Sequence, residues 1–396
     1  MTKAAAQGST RGRKGPPVRV LMLVPNFTPQ RPLVGGAERQ AEKLAHALKA
    51  RGCVVEVLSP QDDPGWPLEE VVDGLTVHRY PISDLSRVLP RGAGVPNLVL
   101  RGAQTRRAVR RFLPRFDLLH CHIASLFTSY ACDAAAPLRK PVLCKVACGG
   151  DVFDLRTTAA IASGAVRLSR NMVRRVTRWI AISDQIRGEL EEWGVEPGRI
   201  VRIPNGVEPV DAPPLAPGGV ARRFLYLARL AINRDPALMV RAFERLLAEV
   251  PDAELAVVGN GELEGELRRL VAEMPRGRER IRMEGYGDSA QWLRWAEVVI
   301  QPSRWEGMSN TLLEAMSAGR ACVATDIPAN RGVLDGGRLG LLSPPGDDAA
   351  MAASLLRLAT VPGAAAELGA LARAEVRDAY GIGHVADRYL ELYRSL

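Results

Sequence analysis

The chain has 396 residues, 47% of them apolar and 24% charged, which is enough to bury the cores of two domains and far from the composition of a disordered polymer. The formal net charge is +9, and residues 1–208 hold 31 Lys and Arg against 19 Asp and Glu, so the first half is the basic one. No apolar run reaches the roughly 18 residues of a membrane span, and six scattered cysteines without a Cys-x-x-Cys pair fit reduced, cytoplasmic thiols rather than a disulfide framework.

Residues 1–17 are polar, basic and Gly-rich, lack the apolar stretch of a signal peptide, and read as a disordered tail. A buried strand is expected over 18–24. A proline-rich loop, expected to be mobile without ligand, follows over 25–34, then a helix over 36–50 that Gly52 ends. Further short apolar runs predict strands over 54–58, 117–121, 141–146, 179–182 and 199–203. Strands alternating with longer helical patterns predict a parallel sheet covered on both faces, giving a first domain over 18–208. The segment 209–222 is rich in Pro and Gly and reads as a linker. The same rhythm restarts with strands over 224–228, 254–258, 281–285, 298–301 and 321–325, which gives a second domain over 223–381 and a closing helix within 382–396. The fold class is therefore α/β, with two Rossmann-like, doubly wound domains facing a central cleft beyond the carboxyl ends of their strands.

Motifs with chemical meaning cluster at those strand ends. Gly35 and Gly36 precede the first long helix, where glycine lets backbone approach a ligand and a helix start favours an anion. His120 and His122 are two apart on a strand and project to one face. Their spacing to Cys121, Cys144 and Cys148 matches no usual zinc pattern, so no metal is expected. Asp151 follows a Gly-Gly turn and can hold a hydroxyl or cap a helix. Arg229 and Arg234 lie in the loop after the first strand of the second domain, and Gly259 and Tyr286 follow its next two strands.

Glu306 and Glu314 are eight residues apart, with Gly307, Met308, Ser309 and Asn310 between them reading as a helix start. Eight residues exceed two helical turns, so Glu306 belongs to the preceding loop and Glu314 lies about a turn inside the helix. The unpaired N–H groups of 307–310 and the positive dipole end invite a phosphate. A phosphate cradle flanked by two hydroxyl-binding carboxylates suits a nucleotide-sugar.

This spacing resembles the Glu-x7-Glu motif of the retaining GT-B glycosyltransferases, in particular glycosyltransferase family 4 (glycosyl transferases group 1). Leu227-Ala228-Arg229 with Arg234 is similar to that family's Gly-Arg-Leu…Lys segment, with Ala for Gly and Arg for Lys. Gly35-Gly36-Ala37-Glu38, the Asp117-to-His122 strand end, Lys145 to Asp151 and Ile203-Pro204-Asn205-Gly206 resemble further family segments, in the same order. At Cys148 relatives often carry His. The resemblance implies that Glu314 binds the ribose diol, that Glu306 lies beside the donor sugar, and that Arg229 and Arg234 clamp the diphosphate. It further implies that Gly259 and Tyr286 line the base and ribose pocket, that one of His120 and His122 sits near the reacting groups, and that Asp151 and Asn205 face the acceptor. It also implies that the last helix crosses back to the first domain.

The expected activity is retaining transfer of a sugar from a UDP- or GDP-sugar, as co-substrate, to a hydroxyl of a glycan, a lipid-linked glycan or a small molecule, in polysaccharide or glycoconjugate biosynthesis. No other cofactor and no metal are implied. Arginine-rich segments over 101–115 and 167–178 make an anionic membrane surface a candidate partner, at the inner face of the membrane. Nucleic acid is not expected, since no binding motif accompanies the charge. A nucleotide-sugar epimerase and a non-catalytic sugar-binding protein are the alternatives on the same fold. An epimerase would act on donor alone, and a binder would not need Arg229, Glu306 and Glu314 together.

Overall fold

Strand β1 (Arg19–Leu23) illustrates how the sheets are built. Its run Arg-Val-Leu-Met-Leu has no polar alternation. Val20 and Met22 enter one apolar cluster, Leu21 and Leu23 another, so both faces are covered, as in a parallel sheet. The structure, a computed structural model, describes residues 16–27, 35–83, 94–161 and 165–396. The tail expected over 1–17 and the loop expected over 25–34 fall mostly outside them.

In the first domain β1 is joined by β2 (Val54–Gln61), β3 (Glu69–Val72), β4 (Leu75–Pro81), β5 (Leu118–His122), β6 (Val142–Val146), β7 (Arg178–Ala181) and β8 (Ile200–Arg202). Their order is β3-β4-β2-β1-β5-β6-β7-β8, parallel throughout except for the β3–β4 hairpin. That hairpin was not expected. It turns on Asp73 and Gly74, at φ 48° and 78°, the positive values a two-residue hairpin loop needs. The second domain holds β9 (Arg223–Leu227), β10 (Glu254–Val258), β11 (Ile281–Gly285), β12 (Val298–Gln301), β13 (Ala321–Thr325) and β14 (Leu341–Ser343). Their order is β11-β10-β9-β12-β13-β14, all parallel; the short β14 was also not expected. Strand order reverses between β1 and β5 and between β9 and β12, and both switch points open at the carboxyl ends of the strands.

The chain crosses between domains twice, side by side. The Val207 N–H donates to the Tyr380 carbonyl (2.9 Å), and the Ile382 N–H donates to the Val207 carbonyl (2.9 Å). Beyond this point the helix Ile382–Arg394 lies on the first sheet, where Tyr389 and Tyr393 join the cluster around Val20 and Met22. Arg51 pairs with Asp387 at 2.5 Å on the same contact. Among the described residues no single helix is long and apolar enough to cross a membrane.

Candidate active site in the interdomain cleft

The second-domain wall starts from the loop after β9. Gly259, at φ 143°, lies so close to this loop that a Cβ there would sit 1.9 Å from the Ala228 carbonyl oxygen, so only glycine fits. The Leu230 N–H donates to the Asn260 carbonyl (3.0 Å), locking the two turns together. The predicted turn therefore positions Arg229 through backbone packing. Arg229 is exposed, and its charge reaches Glu38 of the first domain.

Arg234, farther along the loop, forms an ion pair with Glu306, whose side chain is 2% exposed. Gln301 Nε2 (2.5 Å) and Ser303 Oγ (2.6 Å) donate to the same oxygen of Glu306, Oε1. Burial works against the Arg234 charge, but the Glu306 carboxylate outweighs it and raises the guanidinium above its ordinary value. All three partners converge on Oε1, and no described residue donates to Oε2. One carboxylate oxygen is thus fixed and the other left for a ligand hydroxyl.

Helix Asn310–Ser317 follows directly. Ser309 is its N-cap, with Oγ accepting from the Leu312 N–H at 3.3 Å. Glu306 precedes the helix and Glu314 is one turn inside it, as the spacing predicts. Among the described residues, the N–H groups of Gly307, Met308, Ser309 and Asn310 have no acceptor, so they and the dipole offer an anion site.

The first domain closes over this helix start. Asn205 Nδ2 donates to Asn310 Oδ1 (2.9 Å), and Asn310 Nδ2 donates to the Gly36 carbonyl (3.2 Å). Helix Gly36–Lys49 therefore begins against helix Asn310–Ser317, two positive ends meeting in one gap. Gly307 fits under Ala147, whose carbonyl oxygen would lie 2.0 Å from any added Cβ. The turn carrying Ala147 and Cys148 is held by Asp154, which accepts from the N–H groups of Ala124 (3.1 Å), Ala147 (3.0 Å) and Cys148 (3.1 Å). Burial raises the Asp154 carboxyl to about 6 against the opposing pull of these bonds. Burial likewise pushes the Cys148 thiol up to about 12, so it is no nucleophile.

The structure sets the two expected histidines apart, and His120 is the one it corrects. His120 is fully buried, and its Nδ1 lies 2.7 Å from the Tyr393 hydroxyl, against the last helix rather than in the cleft. Burial, with Lys145 beside it, lowers its imidazole to about 3. His122, nearer the strand end, is 1% exposed and shifted down in the same way, chiefly by burial. The last helix covers His120, which therefore packs in the core; His122 ends the strand with its ring 4.2 Å from that of His120 and neither of its nitrogens bonded among the described residues. Asp151 is exposed on the short turn Gly150–Val152 and caps no helix; Asp154, unnoticed in the sequence, holds the preceding Ala147–Cys148 turn. Tyr286 is 51% exposed at the end of β11, free to stack. Gln301 and Ser303 were also missed. A polar side chain closing the apolar run Val298-Val299-Ile300 was the available signal. Among the described residues no three His, Cys, Asp or Glu side chains group to hold a metal ion.

The family model described as "Glycosyl transferases group 1" matches residues 221–360, and "Glycosyl transferase 4-like domain" matches residues 35–206. The phosphatidyl-myo-inositol mannosyltransferase of Mycolicibacterium smegmatis is 31% identical over 339 residues, which cover 81% of this chain and 80% of that one. The sucrose-phosphate synthase of Thermosynechococcus elongatus superposes with a TM-score of 0.75 at 20% identity, covering 96% of this chain and 98% of the other. Anabaena HepE, solved with UDP and glucose, does so with a TM-score of 0.73 at 16% identity, covering 96% and 100%.

Proposed function

The chain belongs to the glycosyl transferases group 1 and has their GT-B fold, and from this premise we propose how its site works. The enzyme transfers a sugar, with retention, from a nucleoside diphosphate donor to a hydroxyl acceptor. The donor's ribose is held by Glu314, its diphosphate by Arg229, Arg234 and the N–H groups at the start of helix Asn310–Ser317, and its sugar by Glu306. Tyr286 takes the base. As the glycosidic bond lengthens, negative charge gathers on the departing diphosphate. The two guanidinium groups and the helix start stabilise that charge more strongly in the transition state than in the ground state. This charge work needs no divalent ion. The acceptor hydroxyl approaches from the first domain, near Asn205 and the 147–151 turn, on the face the diphosphate leaves; its oxygen bonds the sugar carbon as the bond to the diphosphate breaks, its proton passes to a departing phosphate oxygen, and domain contact excludes water that would hydrolyse the donor.

The observation that supports this reading is the Arg234–Glu306 pair at the foot of a helix start whose 307–310 N–H groups have no acceptor among the described residues, with one oxygen of each predicted carboxylate unengaged. Family membership favours a transferase over the epimerase and the binder. The acceptor side includes an anionic membrane surface, met by the arginine-rich helices of the first domain. The decisive test is a thermal-shift series with UDP-, GDP- and ADP-sugars. The matching donor raises the melting temperature by mass action in wild type and not in Glu314→Ala or Arg229→Ala. No shift with any of the three would sink the donor assignment.

A further inference from the structure

Lys43 lies on helix Gly36–Lys49, seven residues or about two turns beyond Gly36. Glu314 lies one turn into helix Asn310–Ser317. Because the two helices start against one another at Gly36 and Asn310, these side chains meet. Lys43 Nζ bonds Glu314 Oε1 at 2.9 Å, with the side chains 19% and 15% exposed. The bond joins the first domain to the carboxylate assigned above to the donor's ribose. Lys43 engages Oε1 only. Among the described residues nothing donates to Oε2, and a carboxylate has about four acceptor positions, so an ammonium and a ribose hydroxyl can share it.

An unattached Glu side chain samples several rotamers, and fixing one costs free energy when a ligand binds. The ammonium removes that cost before the ligand arrives, but only while the domains are together. We propose that Lys43 is a positioning residue for the donor. It orients the Glu314 carboxylate across the cleft, so that the ribose is gripped firmly only in the closed enzyme, and nucleotide capture and domain closure strengthen each other. Coupling of this kind is reciprocal, so bound nucleotide must also favour closure. The proposal rests on the ribose role of Glu314.

The test is calorimetric titration of UDP and GDP into wild type, Lys43→Met, Lys43→Arg, Glu314→Gln and the Lys43→Met/Glu314→Gln double variant. Circular dichroism and melting temperature establish that each is folded. Methionine keeps the length and apolar stem of the side chain without its charge. Lys43→Met is expected to weaken the preferred nucleotide about fivefold, the scale of a partly exposed ion pair, and Lys43→Arg to recover most of it. In turnover, KM for the donor rises while kcat is largely kept. In the Glu314→Gln background Lys43→Met has no further effect on affinity, because the two residues act as one unit. Unchanged or tighter binding in Lys43→Met overturns the proposal, as does an equal loss with and without Glu314. If folded wild type binds neither UDP nor GDP, and ADP titrated in the same way fails as well, the ribose reading itself fails, and that result is distinct from the others.

Discussion

At the scale of single residues, the site turns on charges that burial has made dependent on one partner. Glu306 has three donors on one oxygen, while Arg234 keeps 28% of its side chain exposed. Breaking a buried pair by neutralising one partner costs about 3–5 kcal/mol, and the exposure of Arg234 brings the expectation for Glu306→Gln down to about 2 kcal/mol in denaturant unfolding. Glu306→Leu with Arg234→Leu should cost less than Glu306→Gln alone, since no uncompensated charge remains. Lys145 shows the opposite condition. It is 5% exposed beside His122 and pairs with no carboxylate among the described residues, and burial lowers its amine to about 7 from an ordinary 10.5. Below pH 10.5 the unfolded chain takes up a proton that the folded chain refuses, so stability falls as pH drops towards 7. His120, lowered to about 3 from 6.5, continues the fall at more acid pH, whereas Asp154, raised to about 6, acts in the reverse sense between pH 3.8 and 6. Lys145→Met should therefore melt higher than wild type at pH 7, with the gap narrowing towards pH 9. A wild-type melting temperature that rises from pH 9 to pH 7 would contradict this.

At the scale of elements, apolar strand runs were legible because period and composition are local. β9 to β13 fall within a residue or so of where the run lengths place them. The β3–β4 hairpin was not read from the sequence: its Asp-Gly turn was a signal, but two glutamates at the start of an edge strand hid it. Helices Gly94–Phe112 and Val166–Arg175 both pack beside helix Leu126–Ala135 and turn exposed arginines outward, among them Arg107, Arg110, Arg170 and Arg174. Asp133 is shared by Arg106 (3.7 Å) and Arg175 (3.5 Å), so one acid faces much of this charge. Exposed Val99 and Val166 lie on the same two helices. The wild type is expected to pellet with phosphatidylglycerol vesicles at low salt and to be released at 0.5 M salt, at about 1 kcal/mol per arginine. Arg170→Glu with Arg174→Glu should abolish pelleting without changing transfer to a water-soluble acceptor. Pelleting on neutral vesicles alone would discard the electrostatic account.

At the scale of the whole molecule, closure depends on close approach of backbone. The two crossings, paired at Val207 and flanked by Gly206 and Gly381, form a narrow hinge, and Gly307 packs under Ala147 at the far side. A valine at 307 has no room there and should hold the domains apart. Expected for Gly307→Val are a larger radius of gyration by solution scattering, unchanged circular dichroism, and loss of transfer with residual nucleotide binding. An unchanged radius together with normal turnover would refute the closed arrangement as the working one. What the chain alone determined was what local rules carry: alternating strands and helices, and two glutamates placed on either side of a helix start by the pitch of the helix. Which polar groups share a site was decided only by tertiary structure. Lys43 meets Glu314 across 271 positions, His120 is claimed by a helix that returns from the far end of the chain, and Asp154 rather than Asp151 shapes the turn. Side-chain partnership depends on three-dimensional proximity and on exclusion of water, and neither leaves a periodic trace along the chain.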